Sequence, residues 1–264
     1  MITAIKSNLA GFSTNNKQPQ KDLHAKLSLI SSDIGDRISF TSSKKPKIDD
    51  IKFLSTKDAE IYAKNELGID ADFKDSLILA NLAVNALKDV KKAGYKLPQK
   101  VISDYEKFKN YKKTTIKGKT LEITAAITYP DNGGIIYLNS KFDWNNVNKR
   151  MKKNFTKHLL SSNKPKHIFY HEIGHFLHYV ADKNMYNKTN NVEISLKTRK
   201  LIKNKVGEYA SQDFGEFIAE LFAAKFIGRK YSDKIQNLYR IWNGPHPNMK
   251  YKNYGSRTIN IEVK

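Results

Sequence analysis

The segment PKHIFYHEIGHFLHY, residues 165–179, constrains this chain most, because it places two histidines and a glutamate inside an apolar helical pattern. In a helix, His171 and His175 are four residues apart and project from the same face, close enough to share a metal ion. Glu172 lies one position round the helix from His171, and Gly174 lets another backbone or side chain approach closely. The spacing predicts an HExxH metal-binding helix. The alternative is a helix that merely contains polar residues.

The cysteine count narrows the chemistry of such a site. The chain has no cysteine, which excludes cysteine-based zinc fingers and thiol catalysis, so a metal ion must be held by His, Asp or Glu. Zinc held by two imidazoles and one carboxylate keeps a fourth position for water and lowers the pKa of that water. Glu172 would take the proton of the water and deliver it to the leaving amine. One Zn²⁺ ion is therefore the expected cofactor.

A third metal ligand is expected from an acidic residue later in the chain. Glu193 follows His175 at workable spacing, but its neighbours NNVEISLK form no further recognisable site. Glu216 and Glu220 lie in an apolar helical pattern, Phe214–Ile227, where buried acids need partners such as a metal ion and its histidine ligands. Glu216 is therefore the preferred third ligand.

HEIGH followed by YASQDFGEFIAELFA resembles the gluzincin metallopeptidases, whose pattern is HExxH, then a tyrosine seven residues before the glutamate of an EFxAE segment. The catalytic domain of anthrax lethal factor has this arrangement. The resemblance extends to the Mlc titration factor group and to metallopeptidases encoded by phages and mobile elements. It covers roughly residues 120–227, with weaker support from residues 55–95.

The resemblance implies a role for each matching residue. His171, His175 and Glu216 would bind zinc, Glu172 would be the general base, and Tyr209 would stabilise the oxyanion. The implied activity is zinc-dependent hydrolysis of peptide bonds in a protein or peptide substrate by metal-activated water.

Two further roles follow from the same resemblance. Glu220 would orient a ligand histidine from behind the metal site. An edge strand before the HExxH helix would align an extended substrate by β-addition, and the segment Gly134–Asn139 is the expected strand. Its central residues are Ile135, Ile136 and Tyr137.

The other histidines have no expected role in catalysis. His178 is interpreted as a support for the ligand residues or as a satisfied surface histidine, since it lies too far along the helix from His171 to complete one tetrahedron. Four more histidines lack suitable partners in the sequence: His24, His158, His167 and His246.

The order of helical and β-rich patterns predicts an α+β fold with a small antiparallel sheet. The resemblance implies that this fold is a zincin-like metallopeptidase domain. The expected organisation is a flexible polar leader at 1–50, the domain at 55–245 and a tail at 246–264. A hairpin is expected, with strands Leu121–Tyr129 and Gly134–Asn139 joined by a turn at Pro130–Gly133. The expected helices are 55–67, 75–93, 101–108, 144–155, 165–179, 193–203 and 214–227.

The net charge of +21 would attract nucleic acid, so this partner stays open on charge alone. The distribution of charge disfavours nucleic-acid binding, because lysines spread along the whole chain outnumber arginines, and proteins that recognise a nucleic-acid sequence favour arginine. No stretch approaches the roughly 18 apolar residues that a membrane span needs. The chain is expected to be cytoplasmic, or exported without a conventional signal peptide. The sequence does not indicate an oligomeric state.

The sequence leaves two alternative functions open. Regulatory peptidases of the ImmA/IrrE type also carry HEIGH-like and EANxFA-like segments, but the longer gap here and the position of Tyr209 favour the first group. The second alternative is a non-catalytic basic binding module on a zincin scaffold. Intact His171, Glu172, His175 and Glu216 argue against it, because a site without chemistry has no evident need for Glu172.

Overall fold

The computed structural model describes residues 50–109, 115–116, 119–120, 124–131, 133–189 and 191–247. The predicted leader, apart from Asp50, and the predicted tail, apart from residues 246–247, lie outside this range. So do residues 121–123 of the first predicted hairpin strand.

The first helix begins and ends where the sequence predicts. The side chain of Ser55 accepts a hydrogen bond from the backbone N–H of Asp58, which caps helix α1, Thr56–Tyr62. One π-helical turn, Ala63–Leu67, extends this helix to Gly68. Gly68 has φ 73°, a left-handed conformation that glycine adopts without steric cost and that ends the helix.

The second helix, α2, spans Leu77–Lys92 and is capped by the side chain of Ser76. Its buried face consists of apolar residues at helical spacing, among them Leu79, Leu87 and Val90. Tyr170 of a later helix donates a hydrogen bond of 2.6 Å to Asp89 on α2, which ties α2 to the helix that carries the HExxH segment.

The main sheet has four strands in the order β1-β2-β6-β5. The pairs β1/β2 and β2/β6 are parallel, and β5/β6 is the predicted antiparallel hairpin. Two short strands, β3 and β4, form a separate antiparallel pair. The bounds are Asp70–Asp72 for β1, Lys100–Ser103 for β2, Thr115–Ile116 for β3, Lys119–Thr120 for β4, Ala126–Tyr129 for β5 and Ile135–Leu138 for β6.

The α+β class is therefore confirmed, but the sheet is mixed, not purely antiparallel. The segment predicted as a helix at 101–108 forms strand β2 followed by a 3₁₀ turn, Glu106–Phe108. Val101 pairs with Ile136 and both side chains are buried. Four residues are too few to reveal a strand period, so pairing with β6 decides the conformation.

The prediction that Ile135, Ile136 and Tyr137 form an edge strand is wrong. Strand β6 is paired on both sides, with β2 and with β5. Strands β1 and β5 are at the edges of this sheet in the described part of the chain. The position of an edge depends on strand order, which the hairpin sequence does not encode.

A glycine couples the β5–β6 hairpin to the HExxH helix. Gly134, at the start of the second strand, has φ 85°. A β-carbon at this position would lie 2.4 Å from the ring of Phe176, so only glycine permits both the turn and this close approach.

Helices form most of the remaining structure. The central helix, α4, is buried at every residue and packs against α2, α7 and strand β5. No helix in the described ranges is both long and apolar enough to cross a membrane. The bounds are Val147–Thr156 for α3, His167–Ala181 for α4, Lys183–Thr189 for α5, Leu196–Lys205 for α6, Phe214–Phe226 for α7 and Asp233–Ile241 for α8.

Candidate metal centre

The crossing of α4 and α7 brings the predicted ligands together. Asp213 caps α7 by accepting a hydrogen bond of 2.8 Å from the backbone N–H of Glu216, which starts the helix so that Glu216 lies in its first turn. Gly174 on α4 lets α7 approach, because a β-carbon there would lie 3.1 Å from the Cα of Ala219.

Three donor atoms meet at this crossing. The Nε2 atoms of His171 and His175 are 3.0 Å apart. The Oε2 atom of Glu216 lies 3.1 Å from the Nε2 of His171 and 3.6 Å from the Nε2 of His175. All three residues are buried. They form a compact triangle of two imidazole nitrogens and one carboxylate oxygen that could hold a metal ion.

The dimensions of the triangle suit a tetrahedral metal ion. Metal–ligand distances of about 2.0–2.1 Å in a tetrahedron place neighbouring ligand atoms roughly 3.3 Å apart. The three measured separations, 3.0, 3.1 and 3.6 Å, bracket this value. In addition, the Nδ1 atom of His175 is buried without a hydrogen-bond partner in the described residues.

The charges within the cluster are tightly coupled in the metal-free protein. Burial raises the pKa of Glu216, but its hydrogen bonds with His171 and His175 outweigh burial and lower the pKa to about 2. Burial lowers the pKa of His171, yet hydrogen bonds to Glu216 and Glu220 outweigh it and raise the pKa to about 10. Glu216 is thus an anion throughout the physiological range, and a proton on His171 stands where a metal cation would bind.

Glu172 lies beside the triangle and faces strand β5. Its Oε2 atom accepts a hydrogen bond of 2.6 Å from the hydroxyl of Thr128. Its Oε1 atom is buried and makes no hydrogen bond to the part of the chain that the structure covers. Burial raises the pKa of this carboxyl group, although the nearby histidines and Thr128 partly oppose the rise. A carboxylate with a raised pKa and one open oxygen can accept a proton from a water molecule.

Tyr209 lies next to His171, the first histidine of the triangle. It begins the 3₁₀ turn Tyr209–Ser211, and its backbone N–H donates to the carbonyl of Leu159 at 3.0 Å. Its ring centroid is 5.7 Å from that of His171. The hydroxyl is buried without a partner among the described residues. Burial, then the charges of Glu216 and Glu172, raises the pKa of Tyr209 well above its ordinary value, so the phenol keeps its proton.

Glu220 lies one turn after Glu216 on α7 and touches His171 from the opposite side. Its Oε1 atom lies 3.0 Å from the Nδ1 of His171 and 2.8 Å from the Nε2 of His167. Its Oε2 atom accepts the backbone N–H of Ser161 at 2.8 Å. The pKa of Glu220 is held well below its ordinary value by His167 and His171, in spite of burial.

One expectation about the histidines is wrong, and one of the two alternatives for His178 is excluded. His167 was expected to lack a partner, but it is fully buried and bonded to Glu220. The signal was present in the sequence, because His167 precedes His171 by one helical turn on the same face. His178 is not a surface residue: it is fully buried against Tyr186, and burial lowers its pKa to about 3.

Tyr186 is a residue of the site that the sequence analysis missed. It lies on α5 with its ring centroid 6.5 Å from that of His175. Burial, followed by the charges of Glu216 and Glu172, raises the pKa of its hydroxyl. In a chain with 14 tyrosines, no local pattern distinguishes this one, since α5 is a separate short helix.

The other predicted residues lie away from the cluster. Glu193 is exposed in the loop before α6, which Ser195 caps. Ile136 is buried in the core, and Tyr137 packs edge-on against Tyr129 at 5.2 Å.

A scan of protein-family models finds no match to this chain, and searches of curated proteins and of solved structures find none either. The side-chain arrangement at the crossing of α4 and α7 is therefore the basis for assigning a function to this chain.

Proposed function

We propose that this protein is a zinc-dependent metallopeptidase with a zincin-like catalytic domain, and that the triangle of His171, His175 and Glu216 holds one Zn²⁺ ion. The observation that carries the proposal is the triangle itself, flanked by two buried polar atoms that lack partners among the described residues. These are the Oε1 atom of Glu172 and the hydroxyl of Tyr209. A purely structural ion cluster has no use for either atom.

Zinc is the metal that fits the donor set best. Two imidazoles and one carboxylate are the protein ligands of catalytic zinc sites in hydrolases, which keep one coordination position open. Zinc bound here would lower the pKa of a water molecule and polarise a substrate carbonyl. Hard ions such as Mg²⁺ and Ca²⁺ favour sites built from oxygen atoms.

Glu172 acts as general base and then as general acid in this proposal. Its Oε2 atom is held by Thr128 at 2.6 Å, which leaves Oε1 to take a proton from the attacking water. Its raised pKa makes the carboxylate a stronger base toward the attacking water than an exposed carboxylate would be, and the protonated group is then in place to deliver the same proton to the leaving amine.

Tyr209 donates a hydrogen bond to the oxyanion that develops on the scissile carbonyl. Its phenol is protonated at neutral pH and its hydroxyl makes no competing bond in the described residues. A buried donor with no competing partner is available to stabilise developing charge, and such donors have large effects on rate.

Strand β5 is at an edge of the main sheet among the described residues, and Thr128 on it contacts the proposed general base Glu172. Ala126, Ile127 and Thr128 are buried, so this edge is not open to an extended peptide in the structure, and the proposal assigns no substrate strand.

Elemental analysis of the purified full-length protein tests the proposed metal site. We expect one equivalent of zinc in the wild-type protein, loss of zinc in Glu216→Ala and His175→Ala, and full zinc in Glu193→Ala, the matched control at an exposed acid. Absence of zinc after reconstitution of the wild-type protein would refute the proposal.

Peptidase activity is tested separately with a library of unstructured peptides and mass spectrometry of the products. Glu172→Gln is the appropriate inactive variant, because it preserves the zinc ligands and the shape of the side chain while removing the base. Cleavage that persists at the wild-type rate in Glu172→Gln would mean that the peptidase activity does not come from this site.

A further inference from the structure

His167 is a buried histidine that has no part in the proposed chemistry. It is 0% exposed, and it begins α4 one turn before the ligand His171. A buried imidazole loses its hydration, so its conformation must be stabilised by specific partners.

Its partner is Glu220, and the same carboxylate oxygen serves two histidines. The Oε1 atom of Glu220 lies 2.8 Å from the Nε2 of His167 and 3.0 Å from the Nδ1 of His171. Both nitrogens act as N–H donors when Glu220 is ionised. Once a metal ion displaces the proton that faces Glu216, the Nδ1–H of His171 stays on Glu220 and its other nitrogen, Nε2, offers a lone pair to the metal.

The second oxygen of Glu220 is also engaged. The backbone N–H of Ser161 donates to Oε2 at 2.8 Å, and the hydroxyl of Ser161 donates to the backbone carbonyl of Glu220 at 3.0 Å. The carboxylate is therefore held at both ends, by Ser161 at one and by His167 at the other. If His167 is lost, one oxygen keeps only His171 as a donor and the carboxylate is freer to turn.

A second metal ion is the competing explanation, since His167, His171 and Glu220 also form a compact buried group. Such an ion would take the Nδ1 atom of His171, which would have to lose its proton while its Nε2 atom binds the first metal ion. Three N–H groups, from His167, His171 and Ser161, already satisfy the carboxylate of Glu220. A network of satisfied hydrogen bonds explains the group with fewer changes.

We infer that His167 is a positioning residue, which fixes the carboxylate of Glu220 and through it the tautomer and ring orientation of the metal ligand His171. The inference rests on the proposed zinc site. It adds a third histidine, in the spacing His167, His171, His175, to the residues on which metal affinity depends.

Zinc dissociation constants, measured by competition with a chelator, test the inference on the full-length protein. We expect His167→Leu to weaken zinc binding about tenfold, the lower end of the range for residues that support a metal ligand. His167→Gln should restore most of the affinity, because its amide N–H can replace the Nε2–H donor. The absorption spectrum of the Co²⁺-substituted protein should change in His167→Leu and return toward the wild-type form in His167→Gln.

Two further variants separate positioning from loss of stability. Tyr170→Phe removes a partly buried hydrogen bond, to Asp89, from another face of the same helix, and it should lower the melting temperature without changing zinc affinity. In a Glu220→Gln background, His167→Leu should have little further effect on zinc affinity, since His167 acts through Glu220.

Three results would overturn the inference. Equal zinc affinity in wild-type protein and His167→Leu would show that His167 does not position the ligand. Two equivalents of zinc in the wild-type protein, with one lost in His167→Leu, would establish the second metal ion instead. Absence of zinc from the wild-type protein would refute the proposed function as well. This result is distinguishable from failure of the inference about His167 alone, because it is seen in the wild-type protein without any variant.

Discussion

Replacement of Gly174 by alanine tests whether the close packing of α4 on α7 sets the geometry of the metal site. A β-carbon at Gly174 would lie 3.1 Å from the Cα of Ala219 and 3.3 Å from the ring of Phe222. Carbon atoms prefer separations of about 3.5–4.0 Å. The two helices must therefore move apart by roughly 0.4–0.9 Å at this point.

That displacement is large for a metal site and moderate for a hydrophobic core. Ligand distances in metal sites tolerate about 0.2 Å, and the helix movement separates Glu216 on α7 from His171 and His175 on α4. Overpacking costs about 1–3 kcal/mol, whereas alanine in place of glycine within a helix contributes about 1 kcal/mol of stability. Gly174→Ala should therefore lose about 0–2 kcal/mol of unfolding free energy but about tenfold or more in zinc affinity.

Chelator competition measures the affinity, and urea unfolding of the metal-free protein measures the stability. Gly228→Ala is the matched control, because Gly228 has φ 87° and its added β-carbon would meet nothing within 4 Å. The control should lower stability through backbone strain and leave zinc affinity unchanged. If Gly174→Ala bound zinc as tightly as the wild-type protein, the close approach of the helices would not control the site.

Three other predictions concern protonation and catalysis. Zinc must displace the proton of His171, whose pKa in the metal-free protein is about 10. The zinc affinity should therefore rise about tenfold per pH unit between pH 7 and 9. An affinity measured by calorimetry that does not change over this pH range would contradict this prediction. Thr128→Val removes a hydrogen bond that lowers the pKa of Glu172. The acid limb of the pH profile of kcat/KM should therefore move to higher pH, and an unchanged acid limb would count against Glu172 as the base. Tyr209→Phe should lower kcat about 10²-fold with zinc content intact, and a wild-type kcat would remove Tyr209 from the mechanism.

Features within one helix were predictable from the sequence. The spacing of His171 and His175 places them on one face in any helix, and Ser55 and Gly68 act as cap and stop through local backbone geometry. Glu216 was predictable because an acid within a buried apolar helix needs partners. These arguments use only neighbouring residues and the cost of burial.

Features that join distant segments were not predictable in this way. The partner of His167, Glu220, is 53 residues away, and Tyr186 reaches the site on a separate short helix. Strand β2 and the interior position of β6 depend on which strands pair. The periodicity of the sequence thus determined the long helices, the α+β class and the spacing of the HExxH residues, since these follow from local geometry and burial. Tertiary packing alone decided the strand order, the position of the sheet edges and the partners behind His171, because each requires contacts between segments with no common local pattern.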